Sequence, residues 1–342
     1  LGSGGDGIVF QYRHRVSEEI IAVKTSRATG YRSVRGILAE IKQYEILGAH
    51  ENICAMLAYC KDFRPNRSPA IFFPVCNWDL RGYKTQWHAQ QKRKTGKSDG
   101  MPEITVMKLM RDISLGLNFL HNGHPICYVH NDIKPDNILV VLPPDYTAGD
   151  IPAEPVFKIT DFGRTTVFPR PLEDLAGKWK GTYEYAPPRA ERTLPPKPGV
   201  DVWALGATMQ KFALDLNPTE SRMAVIRRRQ LARQEHPHVN DDKEWGNQFW
   251  RAQRNVLYRP INLPYQTLCL EYDVPTREPE YYRQYSTNLS HWYDMIMRTP
   301  AKFRVTSSFL AKIAVPFLDR QMAIERQMAL SRKSFATAAA LL

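Results

Sequence analysis

The sequence predicts an α+β protein of two lobes: a small antiparallel β lobe with one helix over 1–75, a larger mainly helical lobe over 76–318, and a helical tail over 319–342. Three observations predict this. Short runs of β-branched and aromatic residues, parted by Gly and Ser turns, dominate the start of the chain, with one stretch of helical spacing among them. A long apolar helical stretch then leads into a compact polar loop, with two apolar strands beyond it. Finally, 342 residues at 43% hydrophobic can bury a large core and exceed one average domain.

Composition narrows the class. Lys and Arg number 47 against 35 Asp and Glu, a net charge of +12 that suits an anionic partner or a merely solvated basic surface. The five cysteines, Cys54, Cys60, Cys76, Cys127 and Cys269, show neither CxxC nor metal-ligand spacing, which points to a reducing, intracellular compartment, cytoplasmic or nuclear. No apolar run reaches eighteen residues, so no membrane span is expected. Leu1 already stands inside a glycine-rich turn, so the chain is expected to be a fragment whose true N-terminus lies upstream.

In the small lobe, Gly2, Gly4, Gly7 and Val9 form a GxGxxGxV string. Glycines there let backbone amides close over phosphates, and the valine can pack on an adenine face. A dinucleotide fingerprint would open a helix, whereas Ile8-Val9-Phe10-Gln11-Tyr12 continue as strand, so the loop belongs to a hairpin. A polar turn, Ser17-Glu18-Glu19, precedes the β-rich run Ile20 to Lys24. Residues Val34 to Leu47 show helical spacing and carry Glu40 and Glu45. The continuous apolar run from Ala70 to Val75 suits a buried strand, and Cys76 to Leu80 should join the lobes.

In the large lobe, 84–101 is polar, basic and glycine-containing, and reads as an exposed loop. Ile104 to His121 forms a largely buried helix ending at Asn122-Gly123. Next comes His130-Asn131-Asp132-Ile133-Lys134-Pro135-Asp136-Asn137, a carboxylate, an ammonium and an amide at short fixed spacings. Asp132 can orient a hydroxyl nucleophile and accept its proton, Lys134 can neutralise charge on a moving phosphoryl group, and Asn137 offers a hard oxygen to Mg²⁺. Strands over Ile138–Leu142 and Val156–Thr160 present Asp161-Phe162-Gly163, with a long proline-rich loop between them. Residues 217–300 read as helical connections with aromatic packing, including Trp245, Trp250, Tyr281 and Tyr282, and the tail beyond Asp319 as a helix.

The octet and the Asp-Phe-Gly string together resemble the catalytic loop and metal-binding segment of eukaryotic protein kinases. Ile20 to Lys24 resembles the VAIK strand, His50-Glu51-Asn52-Ile53 the HPNI connection, Gly181-Thr182-Tyr183-Glu184-Tyr185-Ala186-Pro187-Pro188 the end of an activation segment, and Asp201 to Gly206 the start of the central helix. The resemblance covers about residues 1–318 and implies a Ser/Thr protein kinase using ATP and Mg²⁺, the Ser/Thr preference resting on Lys134 and Thr182. Under it, the glycine loop and Lys24 hold ATP and Glu40, by its place in the motif order, orients Lys24. Val9, Ala22, Val75, Cys76, Leu139 and the gatekeeper Phe73 surround adenine, and Asp79 reaches the ribose or caps the next helix. Asn137 and Asp161 bind Mg²⁺, Asp132 positions the substrate hydroxyl, and Asp201 anchors the catalytic loop from below or caps its own helix. The expected partners are ATP and a protein with Ser or Thr, acting on a monomer, with neither nucleic acid nor membrane.

Two departures stand out. Asn131 replaces the arginine that receives a phosphorylated loop, so Thr165, Thr166, Thr182 and Tyr183 are not expected to be strict switches. Pro188 replaces a glutamate that would pair with Arg304, a role left to Glu184 or Glu191. These departures favour a pseudokinase-like scaffold as one alternative. A choline-type small-molecule kinase is another, opposed by Lys134 and the segments at 181–188 and 201–206.

Overall fold

The computed structural model describes residues 2–3, 7–26, 31–63, 67–97, 99–143, 146, 149–169, 179–235, 253–272 and 282–339. Its first part is an antiparallel sheet in the order β1-β2-β3-β5-β4, formed by Gly2–Ser3, Ile8–Arg13, Ile20–Thr25, Ala58–Phe63 (β4) and Ser68–Pro74 (β5). Register places Val9 opposite Lys24 and Ala22 opposite Phe73. Against this sheet packs α1, Tyr31–Leu47, which starts three residues before the expected Val34. Ile37, Glu40, Ile41, Tyr44 and Leu47 are its buried stripe, at the three-and-four spacing that puts side chains on one helix face.

Trp78–Asp79 (β6) pairs with Ile138–Val141 (β8), which pairs with Val156–Ile159 (β9), so the connection between the lobes ends in a short sheet. One expectation fails here. The stretch read as an exposed loop is mostly a helix, α2, Leu80–Thr95. It buries Leu80, Tyr83, Lys84, Trp87 and Gln90, a stripe narrow enough to be hidden by the basic residues around it. Asp79 caps it, Oδ1 accepting from Gly82 N–H at 2.6 Å, and Gly96 ends it in the left-handed conformation at φ 74°. Lys, Arg and Gln are good helix formers, and Lys92, Arg93 and Lys94 sit in the last turn, where cations favour the dipole.

The larger lobe is built on two buried helices, α3, Glu103–Asn122, and further on the helix Gly199–Leu214. Between them the chain forms β7, Cys127–Val129, then the catalytic-loop stretch, β8 and β9, and β10, Thr166–Phe168, which returns antiparallel to β7. A short helix α4, Arg189–Arg192, precedes the helix Gly199–Leu214, hence α5. Of the sixteen residues of α5, fourteen are buried, because elements surround it on almost every side. Helices α6, Arg222–Glu235, α7, Tyr265–Glu271, and α8, Thr287–Ile296, supply the helical connections expected over 217–300. Trp245, Trp250 and Tyr281 lie outside the described residues. The chain closes with Ser307–Phe309, a π turn Leu310–Ala314 and α9, Val315–Ala339, which packs on α3. The architecture is the bilobal α+β fold predicted, and no helix among the described residues is long and apolar enough to cross a membrane.

Candidate active site

Three elements meet at Lys24. Its place near the end of β3 and the α1 stripe bring the Lys24 ammonium to Glu40, Nζ donating to Oε1 at 2.8 Å and Oε2 at 2.7 Å. The same Nζ donates to Asp161 Oδ1 at 2.8 Å. Glu45 is exposed on α1, off the buried stripe that carries Glu40. Lys24 and Glu40 are both buried, so the pairing is strong only because each charge is compensated. Burial works against the charged forms. The two carboxylates nevertheless raise the Lys24 pKa, and Lys24 in turn holds Asp161 below its ordinary value.

An aromatic series supports this cluster from behind. Tyr44, one turn after Glu40, lies edge-on to Phe73 at 5.2 Å and to Phe162 at 5.0 Å, and Phe162 meets His130 at 5.2 Å. Tyr44 also bonds Thr160 Oγ1 at 3.3 Å, directly before Asp161. The position of Tyr44 on the Glu40 face of α1 was the signal for its role.

The octet is held from below by Asp201, whose Oδ2 accepts from His130 N–H at 2.7 Å and whose Oδ1 accepts from Asn131 N–H at 2.8 Å. Asp201 is the third residue of α5 and not its N-cap, which is Pro198. His121 Nε2 lies 2.9 Å from Asp201 Oδ2, and His121 Nδ1 lies 2.9 Å from Ser307 Oγ. The bonds to His121, His130 and Asn131 compensate the burial of the Asp201 carboxylate.

Within the loop, Asp132 Oδ1 accepts from Thr182 N–H at 2.8 Å and from Thr182 Oγ1 at 2.7 Å. Asp132 Oδ2 accepts from Lys134 Nζ at 2.8 Å and from Asn137 Nδ2 at 3.2 Å. Lys134 Nζ also donates to Thr182 Oγ1 at 3.0 Å. Burial pushes the Asp132 carboxyl up, but Lys134 and Arg164 outweigh it and hold the group below its ordinary value. Arg164, 3.7 Å from Asp132 Oδ1, carries no motif of its own and was not anticipated.

Asn131 sits at φ 68°, a left-handed conformation that asparagine tolerates better than most residues. Its Nδ2 donates to Val129 O, Arg164 O and Thr166 Oγ1 at 3.2, 2.9 and 3.0 Å. Asn131 therefore ties the segment after Asp161 down by amide hydrogen bonds. Further along, Arg304 reaches Glu191, and Glu184 pairs with Arg254 at 3.0 Å.

The remaining predicted positions lie around this centre. Gly7 stands where an added Cβ would come within 2.8 Å of Thr25 O, so only glycine fits beside β3. Val9 and Leu139 are half-buried against the core that includes Ala22. Val75 and Cys76 follow β5, and their backbone N–H groups carry no hydrogen bond among the described residues. Gly2 is in β1, and Gly4 lies outside the described residues.

A sequence model of the protein kinase domain matches residues 1–300. The chain belongs to the protein kinase family. Among curated proteins of Arabidopsis thaliana, it is 29% identical to "Probable L-type lectin-domain containing receptor kinase V.3" over 65% of this chain and 30% of that protein. It is 28% identical to "Probable serine/threonine-protein kinase PBL23" over 66% of this chain and 55% of that protein. The chain thus spans about 30% of the length of the lectin-domain receptor kinases it matches. Within the protein kinase fold, the clusters at Lys24 and Asp132 lie on opposite lobes, and Asp161 is bonded across that division through Lys24, as Thr160 is through Tyr44.

Proposed function

We propose that this chain is a Ser/Thr protein kinase that moves the terminal phosphoryl group of ATP to hydroxyl groups of proteins. The observation that carries this reading is the single ammonium of Lys24 bonded to both Glu40 and Asp161, which joins β3, α1 and the segment entering Asp161 in one geometry. Pairing with Glu40 fixes where Lys24 points, so its positive charge is available to nucleotide phosphates without reorganisation.

The residues present fit ATP and Mg²⁺. Unpaired N–H groups at Val75 and Cys76 suit an adenine edge, with Val9, Ala22 and Leu139 as its apolar surroundings and Asp79 near the ribose. Asn137 gives its Nδ2 to Asp132, and among the described residues no hydrogen bond occupies Asn137 Oδ1 or Asp161 Oδ2. One amide and one carboxylate oxygen suit Mg²⁺, which keeps water and phosphate ligands. Bound Mg-ATP would supply the transferable phosphoryl group and neutralise its charge.

The protein's own part is placement. Asp132, held ionised by Lys134 and Arg164, orients an incoming hydroxyl and takes its proton. Lys134 stabilises developing negative charge beside it, and Thr182 fixes both side chains. The lysine two residues after Asp132, bonded to Thr182, supports Ser/Thr over Tyr acceptors. A monomer in a cytoplasmic or nuclear compartment remains part of this proposal.

The test is Mg²⁺-dependent transfer of labelled phosphate from ATP to generic protein substrates, comparing wild type with Asp132→Asn. Transfer lost in the variant supports the reading. ATP binding with no transfer by either protein transfers it to a scaffold role.

A further inference from the structure

A buried cation stands without an anion beside the segment that contacts Asp132. Arg192 ends α4 and is 7% exposed. Its Nη2 donates to Arg254 C=O at 2.7 Å, whereas its Nε and Nη1 are buried and make no hydrogen bond. Arg254, also buried, gives its Nη1 to Glu184 Oε1 at 3.0 Å. The neighbouring carboxylates are occupied as well. Glu191, the residue before Arg192, holds Arg304 through both oxygens. Glu220, whose backbone N–H donates to Asn255 C=O, holds Arg228 through both oxygens and accepts from Asn255 N–H. Among the described residues no acidic side chain pairs with Arg192.

A guanidinium keeps its proton inside a protein, so Arg192 does not shed this charge as a buried lysine or histidine would. Burial and the like charges of Arg189 and Arg254 work against the charged form. An uncompensated buried charge is costly, and an arriving anion relieves that cost. The unpaired N–H groups have already lost their hydration, so pairing sacrifices less there than at an exposed arginine. Arg189, Ala190, Thr193 and Leu194 are exposed, which puts Arg192 one side-chain layer beneath the surface, within reach of a bound chain by rotation of its own side chain.

The location indicates whose anion this is. Thr182 donates to Asp132 through its N–H and its Oγ1, and Glu184 follows two residues later, at most about 7 Å along the chain. Arg254 and Arg192, attached to Glu184, therefore flank the place where an acceptor hydroxyl meets Asp132. We propose that Arg192 is an anion subsite for the acceptor protein, taking a carboxylate or a phosphate borne by a residue within a few positions of the acceptor Ser or Thr. This rests on the kinase reading for the position of the acceptor. The Arg254 carbonyl and Glu184 hold the subsite in place, and the exposed Arg189 on the same helix adds positive charge to its approach.

The test is a binding measurement, which needs no phosphoryl transfer. Short peptides with alanine in place of the acceptor residue carry a single Glu, Gln or phosphoserine, stepped through every other position, and fluorescence anisotropy reads their affinity for the full chain. The expected result is one register at which Glu or phosphoserine binds about tenfold or more tighter than Gln, the worth of a charge-assisted hydrogen bond. Arg192→Met, shown to be folded by circular dichroism, loses this preference while its affinity for the Gln peptide is unchanged. Arg192→Lys, which keeps the charge without the planar fork, recovers part of it. A preference for phosphoserine alone assigns the subsite to a phosphate, and a preference for Glu alone to a carboxylate. Equal affinity for all three peptides at every register would overturn the proposal, as would a preference that persists unchanged in Arg192→Met. An Arg192-dependent preference in a chain that transfers no phosphate defeats the kinase reading alone, whereas transfer without any such preference defeats the subsite alone.

Discussion

Glu191 and Arg304 form a bidentate ion pair, Oε1 to Nη2 at 2.7 Å and Oε2 to Nη1 at 2.8 Å, in a chain that carries Pro188 where the family pattern places a glutamate. The Arg304 side chain is 1% exposed, donates a further bond to Gly199 C=O at 2.8 Å, and lies over the Trp203 ring. The carboxylate has moved three residues along the chain, onto α4, and still reaches the same guanidinium.

Removing Glu191 leaves a buried cation uncompensated. Glu191→Ala is expected to destabilise the protein by about 3 kcal/mol, read as a lowered urea midpoint. Pro188→Glu is expected to change stability by less than about 0.5 kcal/mol, since Arg304 is already occupied. A midpoint unmoved in Glu191→Ala would show that the pair does not anchor this segment.

Lys24→Ala removes the one ammonium shared by Glu40 and Asp161. On the kinase reading, phosphate transfer falls by about 100-fold or more, the scale seen when one preorganised electrostatic group is deleted. The check is single-turnover transfer at saturating ATP, with circular dichroism to confirm folding. Transfer within a few-fold of wild type in a folded variant would remove Lys24 from the machinery.

The pH dependence has a definite sign. Asp132 and Asp161 titrate below the ordinary 3.8 in the folded chain. A depressed folded value contributes stability that is fully present above the unfolded value and is lost as pH falls through the folded one. Acid unfolding monitored by fluorescence should therefore draw on both groups only below about pH 4. Lys134→Met takes away the principal charge lowering Asp132, so the acid midpoint should move to higher pH. A shift to lower pH would contradict the assignment.

Asn131 anchors the segment after Asp161 by hydrogen bonds that need no phosphate. Thr165→Ala with Thr166→Ala is expected to retain phosphate transfer within about tenfold, because the Asn131 bond to Arg164 C=O survives and one hydrogen bond is worth about 1 kcal/mol. Thr182→Ala is different, since Thr182 contacts both Asp132 and Lys134, and transfer should drop by more than tenfold. Abolished turnover in the folded double variant would restore a switch role to Thr165 or Thr166.

Much of the fold was legible in the chain because local pattern and tertiary burial agree there. The β3 run ends in a buried lysine, the α1 stripe places Glu40 and Tyr44 on one face, and the octet lies between an apolar helix and an apolar strand. The misread segment was α2, where eight Lys, Arg and Gln side chains mask a stripe of Leu80, Tyr83 and Trp87. Such a stripe becomes recognisable only once it packs on the helix that carries Phe212, 6.4 Å from Tyr83. Sequence spacing also left open whether Glu40 or Glu45 meets Lys24 and whether Glu184 or Glu191 meets Arg304.

By itself, the sequence determined which chemical groups this protein carries and the order of the elements that carry them, since helix and strand periodicity and turn residues act over a few residues. Only the tertiary structure decided the partners: Lys24 with Asp161, His130 and Asn131 with Asp201, and Arg304 with Glu191. Those contacts join residues far apart in the chain, and their geometry depends on how buried side chains fill shared space, which no local pattern encodes.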